Sequence, residues 1–126
     1  MESGQRVEVR FERHGPIAVL TIDRPHAANA FGPGAVGEFR QHLATIRADA
    51  SIAGVVVTGA GDRHFCSGGD VKAYSVFASA AELDPVFDDA RAVLDELDLL
   101  TVPTVAAING VAIGGGFELA LACAFR

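Results

Sequence analysis

An α/β fold is what this sequence predicts, on three observations. Two short, almost wholly apolar runs, GVVVTG at 54–59 and TVAAIN at 104–109, read as strands buried on both faces. Before and between them, apolar residues recur twice at helical spacing, within 36–46 and 82–99. An alternating apolar and polar segment opens the chain. Strands interleaved with helices give an α/β core.

Taken in order, RVEVRFE at 6–12 alternates with the period of a half-buried strand. His14-Gly15-Pro16 supplies a turn, IAVLTI at 17–22 is the partner strand, and the two form a hairpin. Arg24-Pro25 ends it, and a loop of small and polar residues runs to Gly34. Val36, Phe39, Leu43 and Ile46 then line one face of a helix. The strand at 54–59 leads into the loop GAGDRHFCSGGD. Helix returns over 82–99, with Val86, Ala90, Val93, Leu94 and Leu97 as its stripe. Pro103 opens the next strand, followed by Gly110, the run Gly114-Gly115-Gly116, and a helix from near Gly115 towards Arg126. No sequence follows that helix to cover its apolar face. There is no tandem repeat, low-complexity tract or linker, so residues 1–126 read as part of a single domain.

Composition narrows the function classes. Half of the 126 residues are apolar and the net charge is −6, with Lys72 the only lysine, so the chain is not a phosphate-tracking nucleic-acid binder. Cys66 and Cys123 read as neutral thiols in a reducing compartment. The start, MESGQRVEVRFER, has no apolar leader region, and the expected location is cytoplasmic. Residues 102–125 carry only Glu118 as a charge and are long enough to span a bilayer, but Pro103, Asn109 and the triple glycine divide them into strand, turn and helix. They read as core, and no membrane partner is expected.

Two glycine-rich loops, 59–70 and 110–116, each follow a buried strand. Such a loop exposes backbone N–H groups where a helix begins, and two of them can converge on one oxygen. Other glycine-loop chemistries fail. His64 stands where a dinucleotide fingerprint needs its third glycine, and no G-x-x-x-x-G-K-[ST] occurs. Ser67 has Phe65 two places before it, which is not a hydrolase nucleophile elbow. No Cys/His group has zinc spacing.

GAGDRHFCSGGDVK at 59–72 and PTVAAINGVAIGGGFELALAC at 103–123 together resemble the paired signature of the crotonase (enoyl-CoA hydratase/isomerase) superfamily, and LTIDRPHAANAF at 20–31 resembles its N-terminal segment. The resemblance implies a spiral of β-β-α units, incomplete here because full-length relatives are about twice as long. It implies an acyl-CoA or enoyl-CoA substrate, no cofactor beyond that coenzyme A, and a trimer-based homo-oligomer for the full-length form. By resemblance, the N–H groups of Ser67 and Gly115 bind the thioester carbonyl and stabilise its oxyanion. Ser67, Gly68, Gly69 and Asp70 line the CoA surface, and Glu118 in GGGFE is the acid/base.

From the residues themselves, Asp70 reads as a cap for the following helix. Lys72 and Arg63 read as solvated residues, with CoA phosphates as their alternative partners. Arg24 and His26 resemble residues near the CoA site in relatives, His64 reads as a loop histidine, and Cys66 as an inert small residue. Phe117-Glu118 after the glycines resembles hydratases and isomerases. Hydration by this family uses a second acid about twenty residues further on, whereas this sequence ends eight residues after Glu118. Two alternatives to a hydratase therefore stand: a truncated, non-catalytic acyl-CoA-binding or subunit-interaction piece, or a double-bond isomerase that works with one carboxylate.

Overall fold

The structure, a computed structural model, describes residues 6–126. The reading of the leaderless start at 1–5 falls outside these described residues. Three successive β-β-α units make up the chain.

The first unit is β1 (Val9–His14), β2 (Ile17–Ile22) and α1 (Pro33–Ala48). β1 and β2 form the expected antiparallel hairpin, pairing Val9 with Ile22 and His14 with Ile17. β1 begins later than its alternation suggests: the Glu8 carbonyl accepts the Asp23 N–H at 2.7 Å, but the Glu8 N–H turns to the Glu38 carboxylate on α1 at 2.9 Å. Between hairpin and helix, a single 3-10 turn at Pro25–Ala27 leads to Ala28 and Asn29, both with left-handed φ. Pro33 opens α1, where a missing N–H does no harm. Val36, Phe39, Leu43 and Ile46 are buried, as their spacing predicts.

The second unit is β3 (Gly54–Gly59), β4 (His64–Cys66), the single turn α2 (Val71–Tyr74) and α3 (Ala80–Asp98). β3 lies inside the main sheet, parallel to β2 on one side and to β5 (Thr104–Ala107) on the other, which accounts for its nearly continuous apolar run. The main sheet has the order β1-β2-β3-β5. Ser79 caps α3 by accepting the Glu82 N–H, and Glu82 reaches back to the Ala78 N–H at 2.7 Å. Val93 and Leu97 bury the C-terminal half of α3, while Arg40 of α1 holds Asp89 and Glu96 at 3.0 and 2.9 Å.

The third unit is β5 (Thr104–Ala107), β6 (Val111–Ala112) and α4 (Gly115–Ala122). β5 is shorter than the predicted 104–109 because Asn109 leaves the strand to brace the first glycine loop. α4 also stops short of Arg126. The chain turns at Cys123 so that Phe125 can pair with β5, donating to the Thr104 carbonyl at 3.0 Å and accepting the Ala106 N–H at 2.9 Å. One face of this unit remains open: Ile113, Phe117, Leu121 and Phe125 are each more than half exposed. No helix among the described residues is long and apolar enough to cross a membrane.

Candidate active site

The two glycine loops are joined by a second, two-stranded sheet that the sequence reading did not anticipate. β4 of the first loop pairs in parallel with β6 of the second. The Val111 N–H donates to the Arg63 carbonyl at 3.0 Å, and the Ile113 N–H to the Cys66 carbonyl at 3.2 Å. Two asparagines fix the first loop from either side. Buried Asn29 donates to the Ala60 and His64 carbonyls at 3.0 and 2.7 Å and accepts the Arg24 N–H. Asn109 donates to the Gly61 and His64 carbonyls and accepts the Gly59 N–H at 3.0 Å. Every polar atom of both amides' oxygen and nitrogen is thus engaged, which is what a buried amide requires.

Close backbone contact follows from this bracing. A Cβ on Gly116 would overlap the Cys66 carbonyl. One on Gly68, whose φ is +96°, would lie 3.1 Å from the Gly115 nitrogen. From Gly115 an ideal Cβ position is 3.8 Å from the Gly69 nitrogen.

The N–H groups around this junction differ in what they bind. Ser67 donates to the Ala28 carbonyl at 3.2 Å, and Phe31 donates to the Gly68 carbonyl at 2.7 Å. Gly116 and Glu118 are taken by the Ile113 and Gly114 carbonyls. The N–H groups of Gly69 and Gly115 have no acceptor among the described residues. For Gly69 the reason is its parallel bridge to Phe31. Such a bridge uses the carbonyl before and the N–H after the paired residue, so the residue's own groups point away from the partner strand. For Gly115 the reason is its place in the first turn of α4, where N–H groups lack intrahelical acceptors.

Gly69, Gly115 and Glu118 line one cleft of about 340 Å³, walled by Phe31, Tyr74, Phe87, Leu94 and Leu119. Tyr74 stacks edge-on against Phe87 with ring centroids 5.2 Å apart, and burial pushes its phenol pKa up. The Glu118 side chain is exposed and makes no hydrogen bond or ion pair among the described residues, one turn into the helix whose start carries Gly115. A second recess of about 690 Å³ is lined by Arg24, His26, Ser67, Asp70 and Lys72, and Gly69 borders both spaces.

Asp70 caps α2 as its sequence context predicts, accepting the Ala73 N–H at 3.1 Å. It also pairs with Arg24 at 3.0 Å, both side chains being 13% exposed. Burial pushes the Asp70 carboxyl up, but the Ala73 N–H and the Arg24 guanidinium outweigh it and hold the carboxyl below its usual range. Arg24 continues to the Ala30 carbonyl at 2.7 Å and lies 3.3 Å from Glu8. Arg63 and His64 border a separate shallow recess, away from both spaces. Cys66 is fully buried, and burial raises its thiol pKa. No three His, Cys, Asp or Glu side chains among the described residues converge as a metal site.

The sequence-predicted residues therefore divide. Gly69, Gly115 and Glu118 share the cleft, while Ser67 and Asp70 face the recess and Gly68 lies against Gly115 where the two loops meet. Tyr74, Phe87 and Arg91 line the cleft without having been singled out. Phe87 and Arg91 have a signal in the sequence, since they stand four and three residues before Arg91 and Leu94 respectively on one face of α3.

The enoyl-CoA hydratase/isomerase family model matches residues 12–126. The chain is 33% identical over 123 residues to a short-chain-enoyl-CoA hydratase of Clostridium acetobutylicum, covering 94% of this chain and 45% of that protein. It is 36% identical over 118 residues to an (E)-benzylidenesuccinyl-CoA hydratase of Thauera aromatica, again covering 94% of this chain and 45% of that protein. Among solved structures, the enoyl-CoA hydratase of Bacillus anthracis superposes with a TM-score of 0.91 at 30% identity, over 95% of this chain and 46% of that one. The chain thus spans less than half the length of these relatives. On its family match and its β-β-α spiral, it belongs to the crotonase (enoyl-CoA hydratase/isomerase) superfamily.

Proposed function

We propose that this chain carries the thioester site of an enoyl-CoA hydratase/isomerase-type enzyme. Gly69 and Gly115 supply the two N–H donors to the carbonyl oxygen, and Glu118 transfers the proton. The observation behind this reading is that these two free N–H groups, from separate loops, border the same cleft as Glu118. Ser67, expected as the first donor, gives its N–H to Ala28, so the role passes to Gly69 two residues on.

Because Gly69 borders both spaces, a thioester seated there sends its acyl chain into the apolar cleft and its coenzyme A towards Arg24, His26 and Lys72. As charge moves onto the carbonyl oxygen, two preorganised N–H groups stabilise the enolate without any rearrangement. Glu118 can then remove or deliver a proton at a carbon of the acyl chain, the apolar wall limiting competition from water.

A double-bond isomerase is the second reading, favoured by one observation: Glu118 lines the cleft together with Gly69 and Gly115, the set of groups that isomerisation uses. One carboxylate suffices for isomerisation. It takes the α proton, the dienolate oxygen is held by Gly69 and Gly115, and the same proton returns to the γ carbon as the double bond shifts. Hydration instead needs water activated as well as the α carbon protonated. Crotonyl-CoA hydration and 3-enoyl-CoA isomerisation, each assayed spectrophotometrically with the unsubstituted chain and Glu118→Gln, separate the two. Turnover unchanged by Glu118→Gln would defeat both readings, and binding without turnover would leave an acyl-CoA-binding role.

A further inference from the structure

Arg91 is the charge in the cleft for which the proton transfer has no use. It lies one turn after Phe87 and one turn before Leu94, so the three share the face of α3 that walls the cleft. An apolar residue at 91 would have continued that stripe. The helix's own acids do not account for the arginine: Asp89 and Glu96 are held by Arg40, and Asp88 and Asp95 form no ion pair with Arg91. Glu118 lines the same cleft, yet it too lies outside ion-pair distance of Arg91. A guanidinium beside aromatic and aliphatic walls, with no anion against it, is suited to receive one from a ligand.

The side of the site on which it stands limits what that anion is. Coenzyme A phosphates have Arg24, His26 and Lys72 in the recess beyond Gly69, whereas Arg91 is on the acyl side. A carboxylate close to the thioester would meet Glu118, so the favourable position is farther along the acyl chain. We infer that Arg91 receives a carboxylate at the distal end of the acyl group, so that the cleft selects thioesters of dicarboxylic acids over simple fatty acyl thioesters. This rests on the acyl-CoA reading above.

Titration calorimetry with glutaryl-CoA and valeryl-CoA, which share a five-carbon acyl chain, tests it on the full chain. A charge-assisted arginine–carboxylate contact favours glutaryl-CoA by about 10- to 100-fold. Arg91→Gln removes that preference by bringing glutaryl-CoA affinity down to that of valeryl-CoA; Arg91→Lys retains part of it. Arg91 is exposed, so neither substitution disturbs the core. Equal binding of the two ligands by the unsubstituted chain, or a preference that survives Arg91→Gln, overturns the inference alone. Failure of a folded chain, checked by circular dichroism, to bind either ligand overturns the acyl-CoA reading and the inference with it.

Discussion

Gly116 of α4 lies so close to Cys66 of β4 that a Cβ at position 116 would overlap the Cys66 carbonyl. Two loops whose contact residues stand fifty positions apart in sequence are thereby held backbone to backbone, and the cleft exists only while they stay so. Gly116→Ala must push them apart, at roughly 1–3 kcal/mol of stability, the usual range for overpacking. Gly37→Ala is the matching control, since Gly37 is exposed within α1 and a Cβ there meets nothing. It should stabilise by about 0.5–1 kcal/mol through reduced backbone freedom. Urea unfolding of both variants checks the opposite signs.

Asp70 links the recess to the N-terminal hairpin through Arg24, and its lowered carboxyl pKa gives stability a pH dependence. A carboxyl with a lower pKa folded than unfolded stabilises fully above the unfolded value, near 3.9. That contribution disappears as pH falls through the lower, folded value. Asp70→Asn should therefore cost about 1–3 kcal/mol at pH 7, because it leaves Arg24 with Glu8 as its one remaining carboxylate in a mostly buried place. In acid the difference from the unsubstituted chain should vanish. A variant equally destabilised at both pH values would show that the cap, not the charge, is what matters.

How much of this was legible in the sequence depends on the length of the signal. α1 and α3 repeat their periodicity several times, and the hairpin and β3 are apolar or alternating runs bounded by turn residues, so their existence follows from the sequence although β1 starts three residues later than its alternation. β4 and β6 have three and two residues, too few to carry any period, and they exist because each supplies the other's partner. The glycine pattern identified the loops that meet but not which N–H remains free between them. That was decided by Ala28, in a loop far upstream, whose carbonyl takes the Ser67 N–H. Asn29 and Asn109 were invisible for a related reason. A polar residue in a loop declares its partners only once the chain has folded around it.

Both thiols should be silent in the native chain. Cys66 and Cys123 are buried and their pKa values raised, that of Cys123 to about 11 by burial. At pH 8 a thiol with that pKa is only about one part in a thousand thiolate, the reactive form. A chromogenic disulfide reagent should therefore titrate no thiol rapidly under native conditions and both in denaturant. Rapid native labelling of Cys66 would mean that the contact between the glycine loops opens readily.

Removing single backbone donors tests the site most directly, because side-chain substitution leaves an N–H in place. An amide-to-ester replacement, introduced by chemical ligation, deletes one donor while preserving chain geometry. At Gly69 or Gly115 it should slow turnover by about 100- to 1000-fold, the range for losing one oxyanion donor, with little effect on stability, since neither N–H has a partner within the fold. At Ser67 the order reverses: the bond to Ala28 is lost, stability falls by about 1 kcal/mol, and turnover measured well below the unfolding midpoint holds. Turnover that fell at Ser67 and held at Gly69 would return the donor role to the serine. It would also require the Ala28 carbonyl to release that N–H when the thioester binds.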